Sequence, residues 1–253
     1  MSNIPFQTII CVPCYNESKR LDKEAFISAV NEHSDIAFLF VNDGSKDNTL
    51  DVLNELAEKH ANLQVLNLEK NVGKAEAVRL GILQALQSPQ SPHYVGFYDA
   101  DMATPLTDLY EMVKQIKMNQ LYLITGCRFK RMGGDIERRY SRFILGRIFA
   151  TFAANVLKLP IYDTQCGTKV LDCRVAKEIF ATPFVSKWIF DIELFARTII
   201  KFGYQNALSK IIEFPLSAWK DVRGSKLQTK DMFRQPIDLL KIHNHYKLYK
   251  YAK

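Results

Sequence analysis

The chain has 253 residues, 47% hydrophobic and 24% charged, a globular mix long enough to bury a core, which excludes a disordered or low-complexity chain. A formal net charge of +7 favours an anionic partner, and nucleic acid, a membrane surface and a phosphorylated substrate all satisfy it. Five cysteines are an odd number, and a chain of this size needs no disulfide staples, so reduced thiols in a cytosolic setting are expected.

Met1 to Pro5 is polar and no apolar run of leader type follows it, so no signal peptide is expected. Residues 6–12 read as a buried strand that Pro13 ends, and 13–18 (PCYNES) as a loop. Cys11 and Cys14 form a C-x-x-C without a second ligand pair at zinc-finger spacing, so they read as structural. A helix is expected over 23–32, and 36–41 (IAFLFV) is a strand too continuously apolar to have a wet face. The turn NDGS (42–45) leads into a helix over 47–59, capped near Ser45 or Lys46. An alternating strand (63–68), a helix (74–87), a loop (88–92) and a strand (93–99) complete the first hundred residues.

Short apolar strands alternating with helices imply an α/β fold with a mainly parallel central sheet flanked by helices. Ligands of such sheets bind beyond the carboxyl ends of the strands. PCYNE, NDGS and DADMATP all stand at strand C-termini, so three polar clusters share one rim. Beyond them a helix (106–118), a strand (121–127), a basic loop and an amphipathic helix (140–157) are expected. A turn or short hairpin (162–172), helices at 174–180 and 190–202, a strand (210–219), a polar loop and a final helix (231–246) follow. No boundary interrupts the chain, so 1–253 is expected to be one domain, with a nucleotide-binding half over about 6–127 and an acceptor half over about 128–253.

Asp99 and Asp101, two acids at the end of an apolar strand, repel one another and call for a cation. Hard oxygen ligands suit Mg²⁺ or Mn²⁺; the alternative is a capped turn. Asp43 in NDGS is either a turn residue or an acceptor toward a base or ribose. Gly73 and Lys74 open a helix whose N–H groups and cation can face an anion, without the spacing of a P-loop. Residues 126–147 hold Arg128, Lys130, Arg131, Arg138, Arg139, Arg142 and Arg147 against Asp135 and Glu137. They form either a solvated charged face or an anion site. The helix that follows carries Leu145, Ile148, Phe149, Phe152 and Val156 on one stripe, and that stripe faces either the core or a lipid interface. In no segment is a membrane span expected, because the most apolar stretch, 143–160, is broken by Arg147, Asn155 and Lys158. Asp191 and Glu193 in WIFDIEL are either helix-dipole charges or groups aimed into a site.

VPCYNE, NDGS, NVGKAEAVRLG and DADMATP, in that order, resemble the family 2 glycosyltransferases of GT-A fold. DTQCGTKVL, WIFDIEL and RGSKL narrow the likeness to the dolichyl-phosphate β-glucosyltransferase branch, close to the polyprenyl-phosphate mannose synthases. The resemblance covers about residues 8 to 245. It implies an inverting transfer of one sugar, glucose from UDP-glucose or else mannose from GDP-mannose, to a polyprenyl or dolichyl phosphate. By the same resemblance Pro13, Tyr15, Asn16, Glu17 and Asp43 line the nucleotide pocket, with Lys74 near the base or ribose. Asp99 touches ribose or metal and Asp101 is the main ligand of Mg²⁺ or Mn²⁺. Arg128 and Arg142 grip the acceptor phosphate, while Gln165, Asp191, Ser225 and Lys226 lie near the sugar or a closing loop. The expected location is cytoplasmic or peripheral on the cytoplasmic face of a membrane, with no nucleic-acid partner. Two other readings stay open: transfer to a sugar hydroxyl, for which Asp191 would be the base, and a non-catalytic basic module for membrane or nucleic acid.

Overall fold

In a computed structural model, residues 6–138, 140–220 and 229–250 are described. The elements in chain order are β1 (Thr8–Cys14), α1 (Lys23–Glu32), β2 (Ile36–Asp43), α2 (Thr49–Lys59), β3 (Leu63–Leu68), α3 (Lys74–Leu86) and β4 (Tyr94–Tyr98). Then come α4 (Leu106–Asn119), β5 (Leu123–Cys127), β6 (Asp135–Glu137), α5 (Tyr140–Leu157), β7 (Thr168–Asp172) and α6 (Cys173–Ile179). The chain closes with α7 (Phe190–Phe202), α8 (Tyr204–Lys210), β8 (Ile211–Pro215), β9 (Ala218–Lys220) and α9 (Thr229–Tyr246). Two compact units result, Met1–Met102 with Thr168–Pro183, and Ala103–Gly167 with Phe184–Lys253.

The first unit is the alternating α/β layer that the sequence pattern predicts. Its strands lie in the order β3-β2-β1-β4-β7. The first four are mutually parallel, and β7 runs antiparallel to β4, pairing Tyr94 with Asp172. All eight residues of β2 are buried, as a strand covered on both faces requires. Phe26 of α1 meets Phe38 and Phe40 edge to face at 5.1 and 4.9 Å. Each such ring withdrawn from water is worth roughly 1.5–3 kcal/mol.

Several local expectations are corrected. Pro13 does not end β1: pairing with β2 continues through Pro13↔Val41 to Cys14↔Asn42, whereas pairing with β4 stops at Cys11↔Phe97. Past that point the strand needs no donor toward β4, so a proline is tolerated. The N-cap of α2 is Asn48, not Ser45 or Lys46. Part of 162–172 is a sheet strand, β7, rather than a turn or hairpin.

In the second unit β5 and β8 are parallel, with Leu123 opposite Ile211 and Cys127 opposite Pro215. The segment expected as one strand, 210–219, is instead β8 and β9 with a break at Leu216 and Ser217. There the Ser217 amide donates to Asp108 Oδ2 at 2.7 Å, and β9 turns away to pair with β6. Helix α7 is buried from Phe190 to Ile199. Helix α5 buries Phe149, Ala150, Ala153 and Leu157 but leaves Ile144, Leu145, Ile148 and Phe152 exposed. The stripe read from the sequence is therefore only in part a core face. Among the described residues no helix is long and apolar enough to cross a membrane.

Candidate active site

In the first unit the chain builds β1, β2 and β3 outward in one direction and then returns to place β4 on the other side of β1. The reversal between β1 and β4 is where a parallel sheet opens a crevice for ligands. The loops that leave these two strands carry Tyr15, Asn16 and Glu17 on one side and Asp99 and Asp101 on the other. The expected residues of the first unit thus share one edge of one sheet.

Hydrogen bonds hold that edge in shape. Asn16, in the left-handed region at φ 53°, accepts from the Lys46 amide at 2.8 Å and donates its own amide to Ser45 Oγ at 3.0 Å. The Glu17 amide donates to Thr49 Oγ1 at 2.8 Å, and its carboxylate takes the Arg20 guanidinium at 2.9 and 2.7 Å. That hydrogen-bonded pair raises the Arg20 pKa against burial, and the Asp101 charge adds to the effect. Asp101 therefore lies within electrostatic reach of Arg20. Burial works to raise the Asp47 carboxyl, but hydrogen bonds from Ser18 and Thr49 prevail and lower it to about 2.

Asp43, at the end of β2, is buried and accepts from the amides of Val72 at 2.7 Å and Gly73 at 3.1 Å. It fixes the approach to α3. Gly44 follows at φ +59°, where a Cβ would stand 2.4 Å from the Asn71 nitrogen, so only glycine fits this turn. Lys74, the first residue of α3, reaches Asp99 at 2.5 Å. The half-exposed Asp99, the exposed Asp101 and the Met102 turn at φ 52° follow directly on β4.

The acids fit a hard divalent ion by donor chemistry. Among the described residues no group of three or more His, Cys, Asp or Glu is poised to hold a metal. Two carboxylates with remaining positions left to water and substrate phosphate is, however, a usual arrangement for Mg²⁺. The Lys74 ammonium beside Asp99 shows the same place already balancing carboxylate charge.

The second unit holds a different cluster. Arg128, just past β5, straddles the Asp163 carboxylate with Nε at 2.7 Å and Nη2 at 2.8 Å. Its amide also donates to Asp163 at 3.0 Å, Nη2 donates to the Gln165 carbonyl at 3.0 Å, and its guanidinium lies 5.2 Å from the centre of the Trp219 ring. Burial alone would raise the Asp163 pKa, but the charges of Arg128 and then Arg138 hold it well below the usual carboxylate range. Arg147 of α5 donates to the Tyr162 carbonyl and stacks on that ring at 3.5 Å. Glu213 of β8 accepts from the amides of Tyr162 at 2.7 Å and Asp163 at 2.6 Å, pinning the loop from behind. A small cleft results, lined by Arg128, Arg138, Arg147, Asp163 and Gln165 among others. Three guanidiniums against one lining carboxylate leave it cationic.

In this cleft the resemblance points to Arg128 and Gln165, and the basic run of the sequence, a solvated face or an anion site, includes Arg138 and Arg147 as well. The roles of Asp163 as the anchor of Arg128 and Gln165 and of Glu213 as its support went unseen. The available signal for Glu213 was an acid inside the apolar strand IIEFP. Arg142 has its side chain outside the described residues, and Ser225 and Lys226 lie outside them altogether. Asp191 is buried in the first turn of α7. Glu193, also buried, accepts from Ser186 and Val185 amides at 2.7 and 3.0 Å and from the Tyr246 hydroxyl at 2.8 Å. It is a structural tie between α7, the preceding loop and α9.

Comparison with known proteins identifies the family and the fold. Residues 9–180 match the sequence profile of glycosyl transferase family 2. A dolichyl-phosphate beta-glucosyltransferase of Trichomonas vaginalis is 32% identical over 97% of this chain and 78% of its own length. One from Dictyostelium discoideum is 32% identical over 92% and 71%, and one from Homo sapiens 29% over 87% and 69%. Among solved structures, glucosyl-3-phosphoglycerate synthase from Mycobacterium tuberculosis in complex with uridine diphosphate superposes with a TM-score of 0.66 at 16% identity, covering 94% of this chain and 80% of that one. Its likeness establishes the fold, that of the GT-A glycosyltransferases. The alternating sheet, its loaded carboxyl edge and the match over two thirds of the sequence lead to one assignment: the chain belongs to glycosyl transferase family 2.

Proposed function

We propose that the protein transfers glucose from UDP-glucose to the phosphate of dolichol or a related polyprenol, with inversion at the sugar. The observation that carries this reading is the arginine cleft of the second unit. A phosphomonoester bears about −1.5 to −2 charge at neutral pH, and three guanidiniums offset by one carboxylate match it. A sugar hydroxyl has no charge that needs such a site. The relatives at about 30% identity, named as dolichyl-phosphate beta-glucosyltransferases, support the same acceptor and sugar.

The roles then fall to different residues along the chain. Residues of the first half, Pro13, Tyr15, Asn16, Glu17, Asp43 and Lys74, hold the nucleotide; those after 128 hold the acceptor and sugar, with Gln165 and Asp191 beside the sugar. Asp99 and Asp101 would hold Mg²⁺ or Mn²⁺, which would supply positive charge to the diphosphate leaving group. A related fold has been crystallised with Mn²⁺ and uridine diphosphate, which supports that ion class. The acceptor phosphate is already ionised, so attack needs no strong general base. Arg128 and Arg147 draw the anion from water and orient it, the contribution that positioning makes to a two-substrate reaction. A polyprenyl phosphate resides in a membrane, so the enzyme works at a membrane surface.

A panel of nucleotide sugars with Mg²⁺ or Mn²⁺ and a polyprenyl phosphate, read by mass spectrometry of the lipid product, tests the reading. Glucosyl transfer from UDP-glucose is expected. Mannosyl transfer from GDP-mannose alone would overturn the sugar, and transfer only to an oligosaccharide would overturn the acceptor.

A further inference from the structure

We propose that the outer face of α5 is the surface on which the protein rests against an anionic lipid bilayer, an inference that builds on the polyprenyl-phosphate acceptor proposed above. A surface helix ordinarily turns a polar face to water. Here Tyr140, Ile144, Ile148 and Phe152 recur every four residues, with Leu145 beside them, and all five are exposed; Phe152 and Leu145 are 62% and 54% exposed. Of thirteen large hydrophobic side chains exposed among the described residues, five stand on α5 and two more, Ile237 and Leu240, on α9, against which α5 packs. That concentration differs from the scattered single exposures normal at a protein surface.

Charge selects the occupant. The 18 residues of α5 include Arg142 and Arg147 and no acid. On α9 and the turn after it, Arg234, Lys241, Lys247 and Lys250 are exposed, and the acids of that segment are Asp231 and Asp238, the latter paired with Lys241 at 3.0 Å. An apolar face on a helix without a carboxylate, beside a helix with exposed cations, suits the boundary between anionic headgroups and acyl chains.

The same helix also forms part of the arginine cleft, to which it contributes Gly146, Arg147 and Ala150. One helix thus carries a wall for an anionic head and a face for apolar chains, the two requirements of a phosphorylated lipid drawn from a bilayer.

The test uses the full chain and vesicles of phosphatidylcholine with phosphatidylserine, without nucleotide sugar. Wild type is expected to sediment with the vesicles, and the triple variant Leu145→Ser, Ile148→Ser, Phe152→Ser to bind roughly ten-fold or more weakly. With UDP-glucose and a short, water-soluble polyprenyl phosphate the triple variant should turn over as wild type does, while turnover of a long acceptor embedded in vesicles falls. Should the triple variant fail to fold, Phe152→Trp serves instead: bilayers of brominated lipid should quench its fluorescence more than that of wild type. Equal vesicle binding by wild type and the folded triple variant, or no added quenching, would overturn the proposal. So would a wild-type dimer in ultracentrifugation that the triple variant abolishes, because the face would then belong to a second copy. Absence of transfer to any polyprenyl phosphate, with vesicle binding still dependent on α5, would refute the acceptor reading and leave the docking face standing.

Discussion

Arg128 and Asp163 form a two-pronged ion pair, at 2.7 and 2.8 Å, in which the acid is buried and the guanidinium sits at a cationic cleft. The acid comes from the loop before β7, the arginine from the end of β5, and Glu213 holds the acid's own backbone amide. The pair therefore aims a cation rather than merely cancelling one.

Asp163→Asn is expected to destabilise the fold by about 3–5 kcal/mol, the cost of removing one partner from a buried pair. It should also raise KM for the acceptor more than it lowers kcat. The sign of the pH effect follows from the depressed carboxyl. Its stabilising contribution is complete above the ordinary value of 3.8 and is lost as pH falls toward its lower folded value. Acid denaturation followed by circular dichroism should accordingly begin at higher pH in a variant that keeps Asp163 but lacks its arginine, Arg128→Ala, than in wild type.

Glu213→Gln tests the support behind that pair. One of its two backbone amides would lose its charged acceptor, at a cost of about 1–3 kcal/mol. A lower melting temperature with a raised acceptor KM is the expected result. An unchanged KM would separate Glu213 from the cleft's function.

Asp101→Ala should reduce turnover by roughly 100-fold or more, since stabilisation of transition-state charge at a site of this kind is commonly worth that much. Chelation of divalent ions should do the same to wild type, with recovery on adding Mn²⁺ or Mg²⁺. An Asp101→Ala enzyme of normal rate would remove the metal assignment. Asp99→Asn should in addition release Lys74, visible as weakened nucleotide binding in calorimetry.

Gly44→Ala isolates a purely conformational demand. A side chain there meets the backbone of Lys70 and Asn71 at a φ of +59°. Strain of this kind costs about 1–3 kcal/mol before the clash is counted, so a clear drop in melting temperature is expected, together with weaker nucleotide binding.

What was legible in the sequence follows from range. The first unit is built from local repeats of strand and helix, so apolar runs and turn residues sufficed to place β1 to β4 and the rim that carries Asn16, Glu17, Asp43, Lys74, Asp99 and Asp101. The second unit depends on distant pairings. Asp163 is 35 residues from Arg128 and Glu213 is 50 from Asp163, separations that leave no periodic trace. β7 was hidden because its five buried residues, TKVLD, include a lysine and an acid that read as turn chemistry. The exposure of Leu145, Ile148 and Phe152 was hidden for the opposite reason: the apolar stripe of α5 was visible, but what it faces is a property of the packed structure.

Whether the cationic cleft receives an acceptor phosphate is measured most directly by comparing a polyprenyl phosphate with the matching free polyprenol as acceptors of glucose from UDP-glucose, in wild type and in Arg147→Ala. Glucosyl phosphate lipid from the phosphate alone, with a substantially higher acceptor KM in the variant, is the predicted result. Equal use of phosphate and alcohol, or an Arg147→Ala enzyme with an unaltered KM, would contradict it.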